Sequence, residues 1–340
     1  MTHTIGMISL GCAKNQVNAE HMLWLLRQAG YEISPDPDGA ELVIVNTCGF
    51  IESAKTEAID NILAMAQLKA EGRIQKILVT GCLAQRYQEE ILQEMPEVDG
   101  VLGTGSYFDV ANAVGQVLSG KRYKRFDDIN ADQSEDGRIL TTPEYYAYLK
   151  IAEGCDNHCA YCIIPKLRGK LRSRPIEELV KEAEQLAADG VKELIVVAQD
   201  TSRYGLDLYG ERKLAELLRQ LCRMNFHWIR LHYMYPDQLT DELIDTIASE
   251  EKILPYFDIP LQHCSDRILT AMCRRGSKAE IVALLEKGDA QLSQSLSLFE
   301  EGTRLAAACR TELDKAEQQV VRLMKGPDGA PIENEFASEE

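Results

Sequence analysis

No stretch of this 340-residue sequence approaches the roughly 20 consecutive apolar residues that a membrane helix needs. The first residues, MTHTIGMISLGC, lack the basic start and long apolar core of a secretory leader. The expectation is a cytoplasmic protein with no membrane partner. Bases are scarce: 37 Lys and Arg stand against 54 Asp and Glu, a net charge of -17. That argues against tight grip on nucleic-acid phosphates, which calls for a basic surplus, and suits a basic protein partner. A fourth thiol is also missing where three are crowded together. EGCDNHCAYCIIPKLRG, Glu153 to Gly169, sets Cys155, Cys159 and Cys162 within eight residues and adds no other.

Ten cysteines in a reducing compartment point away from disulfides and toward metal or redox chemistry. A structural zinc closes its tetrahedron with four protein ligands, and no fourth Cys or His follows Cys162 at zinc-finger spacing. His158, bracketed between thiols, reads as a solvated loop residue. An iron-sulfur cubane on three thiolates keeps one iron open for an outside ligand, so the C-x3-C-x2-C array fits with its gap as the purpose.

At 45% hydrophobic residues, the chain can bury a large core and is expected to divide into two or three domains. Residues 1–120 alternate short β-branched runs (IGMISLG, ELVIVNT, KILVTG) with amphipathic segments such as VNAEHMLWLLRQAG. This pattern predicts a parallel α/β sheet covered on both faces. Each of the three runs ends in cysteine, Cys12, Cys48 and Cys82, with Gly11, Gly49 and Gly81 beside them. Ligands collect beyond the carboxyl ends of parallel strands, so the three thiols are expected to converge. Singly, each would pass for a small core residue. Residues 121–142 read as a polar linker. Residues 143–280 alternate again, with four strands, YYAYLKIAEG, ELIVVAQDTSRYG, HWIRLHYMYP and PYFDIPLQH, predicting part of a β/α barrel with chemistry at its carboxyl rim. A four-strand half barrel leaves an unpaired edge and an apolar inner face. Residues 281–325 read as a helical segment, with Leu292, Phe299, Ala306, Leu313 and Val320 at sevenfold spacing. Residues 326–340 read as a disordered acidic tail.

The cysteine array, with Tyr161 just before its last member and a strand just before it, resembles the signature of radical S-adenosylmethionine enzymes. SLGCAKNQVNAE, VNTCGFIESA and TGCLAQRY resemble the methylthiotransferase domain found in one family of them. NTCGFI, GCLAQRY and DIPLQH are similar to its RimO branch, which acts on an aspartate of ribosomal protein S-twelve, rather than to the branch acting on tRNA adenosines. The resemblance covers residues 5 to 278. It implies two 4Fe-4S clusters, one on Cys155, Cys159 and Cys162 and one on Cys12, Cys48 and Cys82. The first, with S-adenosylmethionine on its open iron, would generate the 5'-deoxyadenosyl radical that abstracts hydrogen from the aspartate β-carbon. The second would deliver sulfur, the methyl coming from a further S-adenosylmethionine. It also implies the small ribosomal subunit as partner and an electron donor such as a flavodoxin. Tyr161 is expected near the adenine, and Gln199, Asp200, Gln262 and His263, following barrel strands, as cofactor or substrate contacts. Cys222, Cys264, Cys273 and Cys309 are expected to be plain thiols. The family's remaining barrel strands and small terminal β-barrel have no counterpart after residue 280. There the sequence instead resembles the exonuclease VII small subunit, implying a nuclease large subunit as helical partner.

Overall fold

The computed structural model describes residues 3–131, 137–286, 321–325 and 331–335. Its first sheet has six strands: β1 (Thr4–Ser9), β2 (Glu32–Ser34), β3 (Leu42–Thr47), β4 (Lys76–Gly81), β5 (Gly100–Leu102) and β6 (Tyr123–Arg125). They are all parallel, in the order β2-β1-β3-β4-β5-β6. Helices α1 (Ala13–Gln28), α2 (Glu52–Ala70), α3 (Cys82–Tyr87), α4 (Glu90–Glu94) and α5 (Val110–Leu118) complete this region. Alternation along β3 assigns the two faces. Leu42 and Ile44 share a core with Met22, Leu26 and Val114 of α1 and α5, while Val43 and Val45 share one with Ala58, Ile62 and Leu83 of α2 and α3. Every β3 side chain is buried, as a strand covered on both faces requires.

The sheet reaches into residues expected to form a linker. β6 pairs with β5, and the Ile139 and Thr141 amides bond the backbone and side chain of Glu20 on α1. The basic KRYKR sequence hides the strand because lysines and arginines suit an exposed edge.

The second sheet has three parallel strands, β7 (Tyr146–Lys150), β10 (Glu193–Val197) and β11 (Trp228–Leu231), ordered β11-β10-β7. Between β7 and β10 a small antiparallel ladder joins β8 (Ala152–Glu153) to β9 (Arg172–Ser173). Helices α6 (Ile164–Arg168), α7 (Ile176–Ala188), α8 (Leu214–Leu221), α9 (Asp241–Ser249), α10 (Asp266–Ala271) and α11 (Lys278–Glu286) follow in turn. Leu149, Leu194, Val196 and Leu231 pack on Leu179, Leu217 and Ile247 from α7, α8 and α9.

The expected fourth strand is not one. Pro255 and Pro260 remove two ladder donors; the chain just before the segment meets β11 in one bridge, Ile229 to Ile253, and within it Asp258 O accepts from Met234 N, past the end of β11. The face opposite α7 to α9 is not the apolar surface expected. It is mixed: Ile195 and Val197 of the central strand are apolar and buried, but Tyr148, Lys150 and Arg230 flank them, and Lys150 Nζ bonds Asn18 Oδ1 of α1 at 2.6 Å.

The chain divides into two units, Met1–Ile281 and Val282–Glu340, and both parallel sheets belong to the first. In the second, β12 (Val321–Lys325) pairs antiparallel with β13 (Pro331–Glu335). This differs from the helix expected to residue 325 and the disordered tail beyond it. Turn-forming GPDGA lies between the two strands in sequence. The sevenfold seam from Leu292 to Val320 and Cys309 lie outside the described residues. Among the described residues no helix is long and apolar enough to cross a membrane.

Candidate active site: two cysteine triplets

The first triplet sits where β1, β3 and β4 end, and backbone contact holds its three turns together. Gly11 has φ +91, and a Cβ there would stand 2.6 Å from the Cys48 Cβ. One on Gly49 would stand 2.9 Å from the Leu83 backbone, and one on Gly81, φ +93, would strike Thr47 O. Side chains would fill that approach, so glycine is required at all three turns. Polar bonds complete the frame. Asn15 Nδ2 donates to Leu10 O at 2.7 Å and Thr47 O at 3.3 Å, Thr47 Oγ1 donates to Thr80 O at 2.5 Å, and Arg86 Nη1 donates to Gly49 O at 2.9 Å. Cys82 is buried, Cys12 and Cys48 partly so. Burial pushes the Cys82 thiol up, Arg168 opposes this, and Cys12 and Cys48 add to it, which places all three thiols within electrostatic reach.

The second triplet occupies the loop after β8. Gly154, φ +80, fits directly against Lys170 O, and Cys155 N donates to Gly169 O at 3.0 Å. Asn157 anchors the middle of the loop: its Nδ2 donates to Asp200 Oδ2 at 2.8 Å, its Oδ1 accepts from Arg203 at 3.1 Å, and Ser202 holds the other Asp200 oxygen. Cys159 Sγ lies 3.5 Å from the Tyr235 hydroxyl and 3.9 Å from Arg274 Nη1, whose guanidinium stacks 4.0 Å from the Tyr235 ring. Burial pushes the Cys155 thiol up to about 11 and raises Cys162 as well. A ligand thiolate therefore needs the positive charge of a bound metal, not the protein alone.

One side chain from the segment after the second triplet reaches the first. Arg168, six residues after Cys162 and 5% exposed, donates to Cys82 Sγ at 3.2 and 3.3 Å, to Asn15 Oδ1 at 2.8 Å and to Glu153 Oε2 at 3.3 Å. Lys150 Nζ reaches the same Glu153 oxygen at 3.2 Å, and Gln199 Nε2 holds the other at 2.5 Å. Burial alone would raise the Glu153 pKa, but Arg168, then Lys150 and Gln199, overcome it and hold the carboxyl at about 2.

Lys14, two residues past Cys12 and 7% exposed, places its ammonium 3.5 Å from the centre of the Tyr233 ring. Burial pulls its pKa below the lysine range, with Cys12 and Glu153 pulling back. Among the described residues its ammonium has no hydrogen-bond or ion-pair partner. A cation–π contact returns about 0.5–2 kcal/mol, and the ammonium tip is not among the fully enclosed unpartnered atoms, so what is buried is chiefly its stem.

The expected contacts fall out differently. Asp200 is a loop anchor, Gln199 a partner of Glu153, and Tyr161 is exposed beside Cys159 and Cys162. Gln262 is exposed at φ +66, and His263 Nδ1 accepts from Ser265 N ahead of α10. No described contact brings either to the thiols. Lys14, Asn15, Glu153, Arg168, Tyr233, Tyr235 and Arg274 were not foreseen. Cys222 is buried, Cys264 and Cys273 exposed.

The residues present suit an iron-sulfur cluster at each triplet: three thiols, close backbone approach made possible by glycine, and Arg168, Tyr235 and Arg274 placed against sulfur. Among the described residues no three His, Cys, Asp or Glu side chains surround a single metal ion. A cubane does not ask for that, since each thiolate binds a different iron.

Residues 4–103 match a family described as uncharacterized protein family UPF0004, residues 149–288 the radical SAM superfamily, and residues 279–321 the exonuclease VII small subunit. The ribosomal protein uS12 methylthiotransferase RimO of Lachnoclostridium phytofermentans is 52% identical over 285 residues, covering 83% of this chain and 65% of that protein. Those of Clostridioides difficile and Symbiobacterium thermophilum are 50% and 49% identical, with 82% and 83% of this chain and 63% and 59% of theirs covered. The chain thus spans less than two thirds of the length of these relatives. The fold is similar to the radical S-adenosylmethionine methyltransferase TsrM of Kitasatospora setae, with a TM-score of 0.58 at 13% identity over 84% of this chain and 65% of that one. A UPF0004 segment is followed by a radical SAM segment, and over some 285 residues the chain is similar to RimO proteins, sharing about half of the aligned residues with them.

Proposed function

We propose that this chain is a radical S-adenosylmethionine methylthiotransferase that places a methylthio group on the β-carbon of an aspartate of ribosomal protein uS12. The observation that carries the reading is Arg168. A guanidinium six residues after Cys162 touches a thiol of the first triplet, which supports reading the two triplets as one site. A tRNA methylthiotransferase would use the same contact, and it is the similarity to RimO proteins that favours uS12; an exonuclease assignment gains nothing from it.

Cys155, Cys159 and Cys162 would hold one 4Fe-4S cluster with S-adenosylmethionine at its open iron, and Cys12, Cys48 and Cys82 the other. Bound there, these groups supply one-electron chemistry at carbon and a source of sulfur. The protein's share is placement. Asp200 and Asn157 fix the loop that carries the second triplet, and the three glycine turns fix the first. Arg168, Glu153, Lys150 and Gln199 form a polar layer between them whose ordered dipoles stand in for water. An electron donor such as a flavodoxin and a cytoplasmic setting belong to the same proposal.

Anaerobic loading with iron and sulfide tests it. The expected result is about eight irons per chain, halved by Cys12→Ala and by Cys155→Ala, and the mass gain of a methylthio group on uS12 in the presence of S-adenosylmethionine and reductant. Protein that stays colourless and iron-free, or that gains both clusters but leaves uS12 unchanged, overturns it. A second reading belongs to residues 279–321 alone. Their match to the exonuclease VII small subunit favours docking to a nuclease large subunit, which would persist with every iron removed.

A further inference from the structure

Three circumstances work against Lys14, and no hydrogen bond or ion pair within the described residues offsets them. It occupies the second position of α1, where the helix dipole disfavours a cation. It is more than nine-tenths buried, yet none of its three ammonium donors has an acceptor. Its one partner, the Tyr233 ring, comes from strained backbone. Tyr233 has φ +60, a region costly for a bulky side chain. The structure enforces it: the Tyr233 amide donates to Asp258 Oδ2 at 3.0 Å, and its carbonyl accepts from Thr201 N at 2.9 Å. Residue and fold thus combine to hold a lysine against an aromatic face just beyond Cys12.

The neighbouring cations are already engaged. Arg168 serves Cys82, Asn15 and Glu153, Lys150 serves Asn18 and Glu153, and Arg274 serves Cys159 and Pro260 O. Lys14 is the cation beside the first triplet whose donors await an anion.

We propose that Lys14, backed by Tyr233, is the anchor for the carboxylate of the substrate aspartate. This rests on the methylthiotransferase reading and deepens it. The carbon to be modified is bonded directly to that carboxylate, so a fixed ammonium next to Cys12 sets the β-carbon beside the first triplet. It also makes the site selective for aspartate over asparagine, whose neutral amide forgoes the charge-assisted bond.

The test is equilibrium binding, without turnover, of uS12 and of uS12 with the modified aspartate replaced by asparagine, to the iron-loaded 340-residue chain. Wild type is expected to bind the aspartate form roughly tenfold to a hundredfold more tightly, the worth of one charge-assisted hydrogen bond. Lys14→Met, which keeps the stem and its packing on Tyr233, is expected to remove that preference while holding its irons, and Lys14→Arg to restore most of it. If Lys14→Met keeps the preference, the anchor assignment falls and the function stands. If wild type binds uS12 but shows no preference, the anchor falls, irrespective of how the variants fold. If wild type binds neither form, the methylthiotransferase reading falls with it.

Discussion

A guanidinium with a buried thiol on one side and a buried carboxylate on the other is held in its charged form by both. Removing it leaves Glu153 buried with less compensation, and breaking a buried pair by deleting one partner costs about 3–5 kcal/mol. Arg168→Met is therefore expected to lower the unfolding free energy of the iron-free protein by an amount in that range, measured by urea titration. The double variant Arg168→Met, Glu153→Gln should recover part of it, because the carboxylate is no longer stranded, although Lys150 then loses its ion pair with Glu153. A single variant as stable as wild type would show that the contacts of Arg168 contribute nothing net. The cysteines were legible because thiols are rare and their spacing is chemical. Arg168 was not, since it meets Asn15 across 153 residues of sequence and an arginine at the end of a short polar helix reads as solvated. Lys14 escaped notice for the same reason: a lysine near a helix start gives no sign of burial until a second sheet is laid over it.

At the scale of elements, two short segments carry more than their length suggests. The loop of the second triplet depends on Gly154, where a Cβ would collide with Lys170 O in a backbone conformation that side chains avoid. Gly154→Ala is expected to yield about four irons per chain instead of about eight, the first triplet loading normally. Full loading in this variant would mean that the loop is set by its partners and not by the glycine. The join of β4 to β5 depends on Asp99, which accepts from Lys69 Nζ at 2.5 Å, Lys76 Nζ at 2.9 Å and Ile77 N at 2.9 Å. Burial would raise its pKa, but Lys69, the Ile77 amide and Lys76 outweigh this and depress it. A depressed carboxylate contributes stability above its unfolded pKa and loses it as pH falls through the folded value. Asp99→Asn is thus expected to be less stable than wild type at neutral pH and to converge with it in acid, followed by denaturation at each pH. A gap that persists in acid would assign the loss to packing. Periodicity found β1, β3, β4, β7, β10 and β11 because each is a run of four or more residues with β-branched or aromatic members. It missed β2, β5 and β6, three residues each, which offer no period to read. It also promoted residues 255–263 to a strand against two prolines that spoke otherwise.

Across the whole molecule the net charge of -17 is too large to be neutral toward partners. A basic ribosomal protein approaching such a surface is drawn in before any contact forms, and long-range attraction of this kind raises the association rate more than the final affinity. Screening is its signature, since the Debye length shrinks to about 8 Å at physiological salt and to about 3 Å at 1 M. The association rate of uS12 with the iron-loaded chain is expected to fall steeply with added salt in stopped-flow measurement. Its dissociation rate, governed by buried contacts such as the one assigned to Lys14, should change far less. Lys14→Met should show the opposite split, with an unaltered salt slope of association and faster release of the aspartate form. If salt instead changes release and leaves association untouched, the acidic surface serves solubility alone and recognition lies wholly in the site.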